Sequence, residues 1–260
     1  MNYISTLAAK WVKNGFAYRL RIKKERLNTQ EETYKLLAQR LFSHFDSKKL
    51  VDWAVMMMEC GYDSYSLIIL AGLDKDSTEV REKYFRETID ELKLDVNKSD
   101  FDLIDYYANY IAESVVNKKI DPKDGLSIMQ EIVRTTDYSS KYIQFYELDE
   151  DLDNLKYDNR TIFNSGLTLD NIDKFIITEF QLFLDVEKLK IERVSELTYC
   201  NTCCSIDRPK IKKKRTIIGR VEYKYWVCGN CGSKDILHFS DQKGREIIIK
   251  QNKKTQPNFK

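Results

Sequence analysis

Two short cysteine pairs constrain this chain more than any other feature. Cys200-Asn201-Thr202-Cys203 and Cys228-Gly229-Asn230-Cys231-Gly232 are separated by 24 residues. Zinc takes four soft or borderline ligands in a tetrahedron. A CxxC turn lets two sulfurs chelate one ion while the backbone amides of the turn point at the thiolates. Two such turns close the shell, so the spacing predicts a zinc ion on Cys200, Cys203, Cys228 and Cys231. Five of the six cysteines fall between 200 and 231. In paired CxxC spacing they read as metal ligands in a reducing compartment rather than as disulfide partners. Four thiolates leave no open coordination position, so the ion is expected to be structural, replacing a hydrophobic core too small to stand alone.

The segment 197–250 resembles the zinc-ribbon group on these residues: CxxC, a β-hairpin arm, then CxxCG. The first knuckle departs from that pattern, with Cys204 where the group has glycine. The CxxC spacing favours Cys203 as the ligand and leaves Cys204 as a spare, partly buried thiol. Cys60, alone beside Gly61, reads as a core residue.

Between the knuckles lie Arg208, Lys210, Lys212, Lys213, Lys214 and Arg215, six cations in eight residues, and Arg220 and Lys224 follow. Tyr223, Tyr225 and Trp226 interleave with them. Cations at this density repel one another unless an anion is present. Phosphate backbones provide one, and binding releases their condensed counterions. Exposed aromatic rings could stack on bases of a single strand. These eight cations are therefore candidate nucleic-acid contacts, at the level of the backbone and not of base-specific readout. The competing reading is a solvated loop whose lysines aid solubility.

The net charge of +2 conceals a strong asymmetry. Residues 205–260 carry 15 Lys/Arg against 5 Asp/Glu, and residues 1–26 carry seven basic side chains against Glu25. The remainder, 27–204, is about −14 by subtraction. An acidic body with a basic tail suggests a polyanion for the tail. No apolar run approaches the ~20 residues of a bilayer span, and no signal layout opens the chain. A cytoplasmic location without membrane contact is the expectation.

Residues 1–190 read as helical. Thr29-Gln30-Glu31-Glu32 forms a capping-box pattern before Tyr34, Leu37, Ala38, Leu41, Phe42 and Phe45 at helical spacing. Asp46 or Ser47, Ser77, the Ser99/Asp102 pair and Asp121-Pro122 mark further helix starts, and Gly61 a helix end. Residues 147–153 read as an exposed acidic break, and Gly166 and Asn171 flank a last helix. Tyr106, Tyr107, Tyr110, Tyr142, Phe145 and Tyr146 read as core. Val221–Val227 and Arg245–Lys250 look like strands. The expected fold class is α+β: an irregular all-α helical bundle over 1–194, a small β-rich zinc ribbon over 195–250 and a disordered tail over 251–260.

Catalytic signatures are absent. With 9 glycines there is no GxGxxG and no GxxxxGK[ST]. His44 and His238 are the chain's two histidines. Arg40 and His44 are too close in sequence to match the HEPN ribonuclease motif, so His44 reads as structural. His238 reads as packing or nucleic-acid contact. Residues 147–153 lack the EF-hand layout, and no serine elbow, HExxH or kinase motif appears. The helical body, rich in Lys, Ile, Asn and Tyr, also resembles small bacterial helical proteins of unknown function, some encoded beside toxin or phage-defence genes.

These readings converge on a non-enzymatic cytoplasmic adaptor. Its zinc ribbon would hold nucleic acid or a nucleoprotein partner, and its acidic helical part would dock a protein. The alternative is an immunity or phage-defence accessory protein that neutralises or regulates a toxin or enzyme, with the ribbon as a structural appendage.

Overall fold

The computed structural model describes residues 29–189, 193–215 and 220–255. Its contacts group the described residues up to 107 and those from 108 onward into two compact units. Composition alone draws the division at 194/195; the contacts instead gather the later helices and the ribbon into one unit.

The first unit contains α1 (29–39), α2 (Lys48–Glu59), α3 (Tyr65–Ala71), α4 (Thr78–Leu92) and the start of α5 (Asp100–Val116). Helices begin where side chains can satisfy the open N-terminal amides. The Ser64 and Ser77 hydroxyls accept from the amides of Leu67 and Val80. Ser99 Oγ accepts from the Asp102 amide and donates back to its carboxylate, as the capping pair requires. At the start of α2 the side chain of Asp46, not that of Ser47, accepts from the Lys48 amide. Gly61 ends α2 at φ +86°, a left-handed conformation that glycine adopts at no steric cost.

Leu50, Trp53, Ala54, Met57, Leu67, Leu70 and Phe85 form the core of this unit. Trp53 and Phe85 meet edge to face with ring centroids 5.0 Å apart. The Trp53 indole N–H donates to Thr33 Oγ1, so the buried ring is also satisfied. Three expectations need correction. Thr29 lies inside α1 rather than capping it, and its hydroxyl meets Tyr62 Oη. Cys60 is half-buried beside Met56, not a core residue. Tyr107 is buried, but Tyr106 and Tyr110 are only partly so.

The second unit holds α6 (Pro122–Thr135), α7 (Ile143–Asp158), α8 (Ile172–Leu189), a 3-10 turn (Val194–Glu196), five short strands and α9 (Gln242–Thr255). Asp121 caps α6, with Pro122 in its first turn. Tyr142, Phe145, Leu148 and Phe180 are fully buried between these helices. Residues 147–153 are not an exposed break. They lie within α7, where Leu148 and Leu152 face inward and Asp151 is fully buried. The Asp151 carboxylate accepts from the amides of Ile162, Phe163 and Asn164 and from Asn164 Nδ2, tying the following loop to the helix.

Strands β1 (Thr198–Cys200), β2 (Ile206–Asp207) and β5 (Ile236–His238) form one antiparallel sheet in the order β2-β1-β5. Strands β3 (Lys210–Arg215) and β4 (Val221–Val227) form a separate two-stranded antiparallel ribbon. Arg245–Lys250 is helical, not a strand, and α9 continues through residues 251–255, which were expected to be a disordered tail. The last five residues, 256–260, lie outside the described set. The run Ile247-Ile248-Ile249 misleads by its β-branching. Ile248 and Ile249 are buried, and Ile249 packs with Leu182 and Leu189 of α8, so tertiary packing overrides local preference.

Candidate metal centre

The two cysteine turns have the same backbone. In the first, the Cys204 amide donates to the Cys200 carbonyl at 2.8 Å and the Cys200 amide to the Ser205 carbonyl. In the second, the Gly232 amide donates to the Cys228 carbonyl at 3.1 Å and the Cys228 amide to the Ser233 carbonyl. Each turn closes with a left-handed residue, Cys204 at φ +57° and Gly232 at φ +76°. That correspondence resolves the ambiguity at 203/204. Cys204 occupies the glycine-like corner of its knuckle and is exposed, while Cys203 contributes its sulfur to the cluster. The Cys204 thiol instead pairs with the Tyr199 phenol, which holds the Tyr199 proton more tightly than usual.

The Sγ atoms of Cys200, Cys203, Cys228 and Cys231 all lie within 4.8 Å of one another. Cys200 and Cys231 are 3.6 Å apart, as are Cys203 and Cys228. A tetrahedral zinc at about 2.3 Å from each sulfur needs S···S separations of about 3.8 Å. The donor set and its spacing therefore fit a four-sulfur metal ion. The Asn230 and Cys231 amides point at Cys228 Sγ at 3.4 and 3.5 Å. The Ser205 hydroxyl lies 3.1 Å from Cys203 Sγ and 3.5 Å from Cys228 Sγ.

The protons of three of these thiols reflect this crowding. The Ser205 hydroxyl, then the amides of Cys231 and Asn230, pull Cys228 down to about 6. Ser205 also lowers Cys203. Cys231 is pushed up to about 12 despite the Ser233 amide that acts to lower it, because Cys203, Cys200 and Cys228 oppose further negative charge beside them. Cys228 and Cys203 thus give up their protons more readily than an ordinary thiol and Cys231 less readily, and a cation among the sulfurs would offset the charge of the thiolates.

A buried ion pair fastens the sheet to the helices of the same unit. Arg245 of α9 and Glu179 of α8 are 4% and 2% exposed, and Arg245 Nη2 lies 2.7 Å from both carboxylate oxygens. Arg245 Nη1 donates to the carbonyls of Phe239 and Ser240, just beyond β5. Gly244 sits so close to the His238 carbonyl that a Cβ there would lie 2.0 Å from its oxygen. Any side chain at 244 would push α9 off the strand. Sequence reasoning missed this pair, because no spacing rule links positions 179 and 245.

The eight predicted cations divide by structure. Arg208 is paired with Glu196 at 3.1 Å. Lys210 Nζ donates to the Gly229 carbonyl at 2.6 Å, bracing the second knuckle. Arg215 ends β3, and Arg220 precedes β4. The pairing register places Lys212 opposite Tyr225 and Lys214 opposite Tyr223 on one face of the ribbon. On the other face Lys213 stands opposite Lys224, and Ile211 opposite Trp226. Every residue of β3 is exposed.

The earlier catalytic candidates remain apart. Arg40 is held by Glu82 and lies over the Phe85 ring, while His44 is exposed in the turn after α1. The His238 ring meets Trp226 T-shaped at 6.3 Å rather than joining the sulfurs. Among the described residues, no helix is long and apolar enough to cross a membrane. No protein-family model, curated protein or solved structure matches this chain.

Proposed function

We propose that the protein is a non-enzymatic adaptor in which a zinc ion on Cys200, Cys203, Cys228 and Cys231 holds a cationic β-ribbon that binds nucleic acid. The carrying observation is the cross-strand pair Lys213↔Lys224. Like charges placed directly opposite destabilise a two-stranded ribbon. Among the described residues, neither lysine has a carboxylate within ion-pair reach; the nearby Glu222 is engaged by Lys214 at 3.1 Å. A phosphate group would satisfy both ammonium groups. A zinc ion with four thiolates carries about −2, which leaves residues 205–260 strongly positive.

The metal's role in this reading is mechanical. Coordination fixes the knuckles at the base of the ribbon, and the buried Arg245–Glu179 pair anchors α9 beside them. The acidic helices supply a separate surface for a protein partner. Val55 and Met58 on α2 and Tyr65 and Ile68 on α3 are exposed apolar side chains suited to such docking.

The test is salt-dependent binding of the zinc-loaded protein to generic DNA and RNA. Affinity should fall steeply as salt rises. It should fall again when Lys212, Lys213, Lys214 and Arg215 are replaced by alanine. Affinity indifferent to both changes would refute the proposal.

A further inference from the structure

We infer that the nucleic acid this ribbon takes is single-stranded, with one base stacked on Trp226 and the adjoining phosphate held between Lys213 and Lys224. The inference rests on the adaptor reading above and assigns its ligand class and its binding face.

The two faces of the β3–β4 ribbon are not equivalent. On the tyrosine face the rings are already engaged by the protein. Lys214 Nζ lies 5.2 Å from the Tyr223 centroid, and Lys234 Nζ 4.3 Å from that of Tyr225. The two tyrosine rings also pack together at 5.8 Å. Lysines resting on aromatic faces satisfy part of their own charge and compete with a base for that ring, even at Tyr223, which stays 45% exposed.

The opposite face is built differently. Trp226 is 49% exposed and Ile211, its cross-strand neighbour, 51%. Lys224 lies two residues before Trp226 and Lys213 two after Ile211, so the apolar pair and the lysine pair share one face. Their separation is about 7 Å, two strand residues. Indole and ammonium pair thus share one face, two strand residues apart, within side-chain reach of a base and its own phosphate. The His238 ring meets the indole T-shaped, with centroids 6.3 Å apart, and the strand register places Ile211 beside it.

Strand type follows from this layout. In a duplex each base is stacked between its neighbours, and an exposed indole on a sheet face finds no free base surface. A single strand offers every base face, and stacking on an aromatic ring tolerates any sequence. A two-stranded ribbon also has the dimensions to enter a major groove. The lysines alone would serve that arrangement, and Trp226 would contribute nothing to it.

The experiment measures binding of the zinc-loaded full chain to a fluorescein-labelled oligothymidylate and to a duplex of equal length, by anisotropy at fixed salt. The single strand should bind at least about tenfold more tightly. Trp226→Ala should weaken single-strand binding about tenfold, Trp226→Phe should restore most of it, and Tyr223→Ala should leave it unchanged. Zinc content and thermal unfolding of each variant establish that the ribbon is intact. Duplex preference, or single-strand affinity unchanged in Trp226→Ala, would overturn the inference. If Lys213→Ala with Lys224→Ala still abolished binding in those cases, the adaptor reading would stand without it. No binding to either probe would remove both.

Discussion

The α2–α4 region and the β1–β5 region are held together by different physics. In the helical region Leu50, Ala54, Met57, Leu67 and Leu70 are wholly buried, and Trp53 and Phe85 nearly so. Removal of apolar surface from water stabilises it. Between Thr198 and His238, the buried residues among those described are Thr198, Cys200, Val227 and Cys228. That is far too little apolar area to offset the ordering of the strands. The ribbon region replaces a core with four sulfurs and with α9 packed behind them. A core tolerates single losses by degrees, whereas a metal cage depends on every ligand.

Removing the metal should have the largest effect, and on the β1–β5 region alone. Structural zinc contributes about 10–16 kcal/mol of apparent binding energy in small metal-dependent folds. Chelation, or Cys200→Ser with Cys228→Ser, should therefore unfold residues 198–238. Amide exchange would rise to unprotected rates there and remain slow in α2 and α4. Next in size are single losses from the helical regions. Phe85→Ala should destabilise its unit by about 3–5 kcal/mol in denaturant unfolding without changing bound metal. Glu179→Ala should cost about 3–5 kcal/mol by leaving Arg245 buried and unpaired. Glu179→Met together with Arg245→Met should recover most of that loss.

Smaller effects sharpen the contrast within the ribbon. Cys204→Gly should retain the metal and raise stability by about 0.5–1 kcal/mol, because glycine carries no penalty at φ +57°. Cys203→Gly should lose the metal. Lys213→Glu should create an attractive cross-strand pair with Lys224 worth about 0.2–1 kcal/mol. Thermal unfolding should then move slightly upward while nucleic-acid affinity moves down. Opposite signs from one substitution would separate the ribbon's stability from its binding.

Much of this was legible in the sequence wherever the signal was local. Caps at Ser77, Ser99 and Asp121, the glycine after α2, the period-two strand Val221–Val227 and the two CxxC turns all depend on residues within a few positions of one another. The rest depended on distant partners. Nothing near residue 151 announces that its carboxylate will meet amides eleven to thirteen residues away. Leu148, Leu152 and Leu155 did carry the helical period there, but the dense acidic charge around them masked it. The Ile247–Ile249 run became helix because α8 and β1 offer it a surface to pack on. At 203/204 the CxxC spacing already favoured Cys203, and the left-handed corner at Cys204 agrees with it.

Metal analysis of the purified protein probes the four-sulfur site itself. Elemental quantification combined with X-ray absorption should find one zinc per chain bound by four sulfurs at about 2.3 Å. The result should be unchanged in Cys204→Ser and lost in Cys203→Ser. A chain that carries no stoichiometric metal yet keeps residues 198–238 protected from exchange would contradict the account.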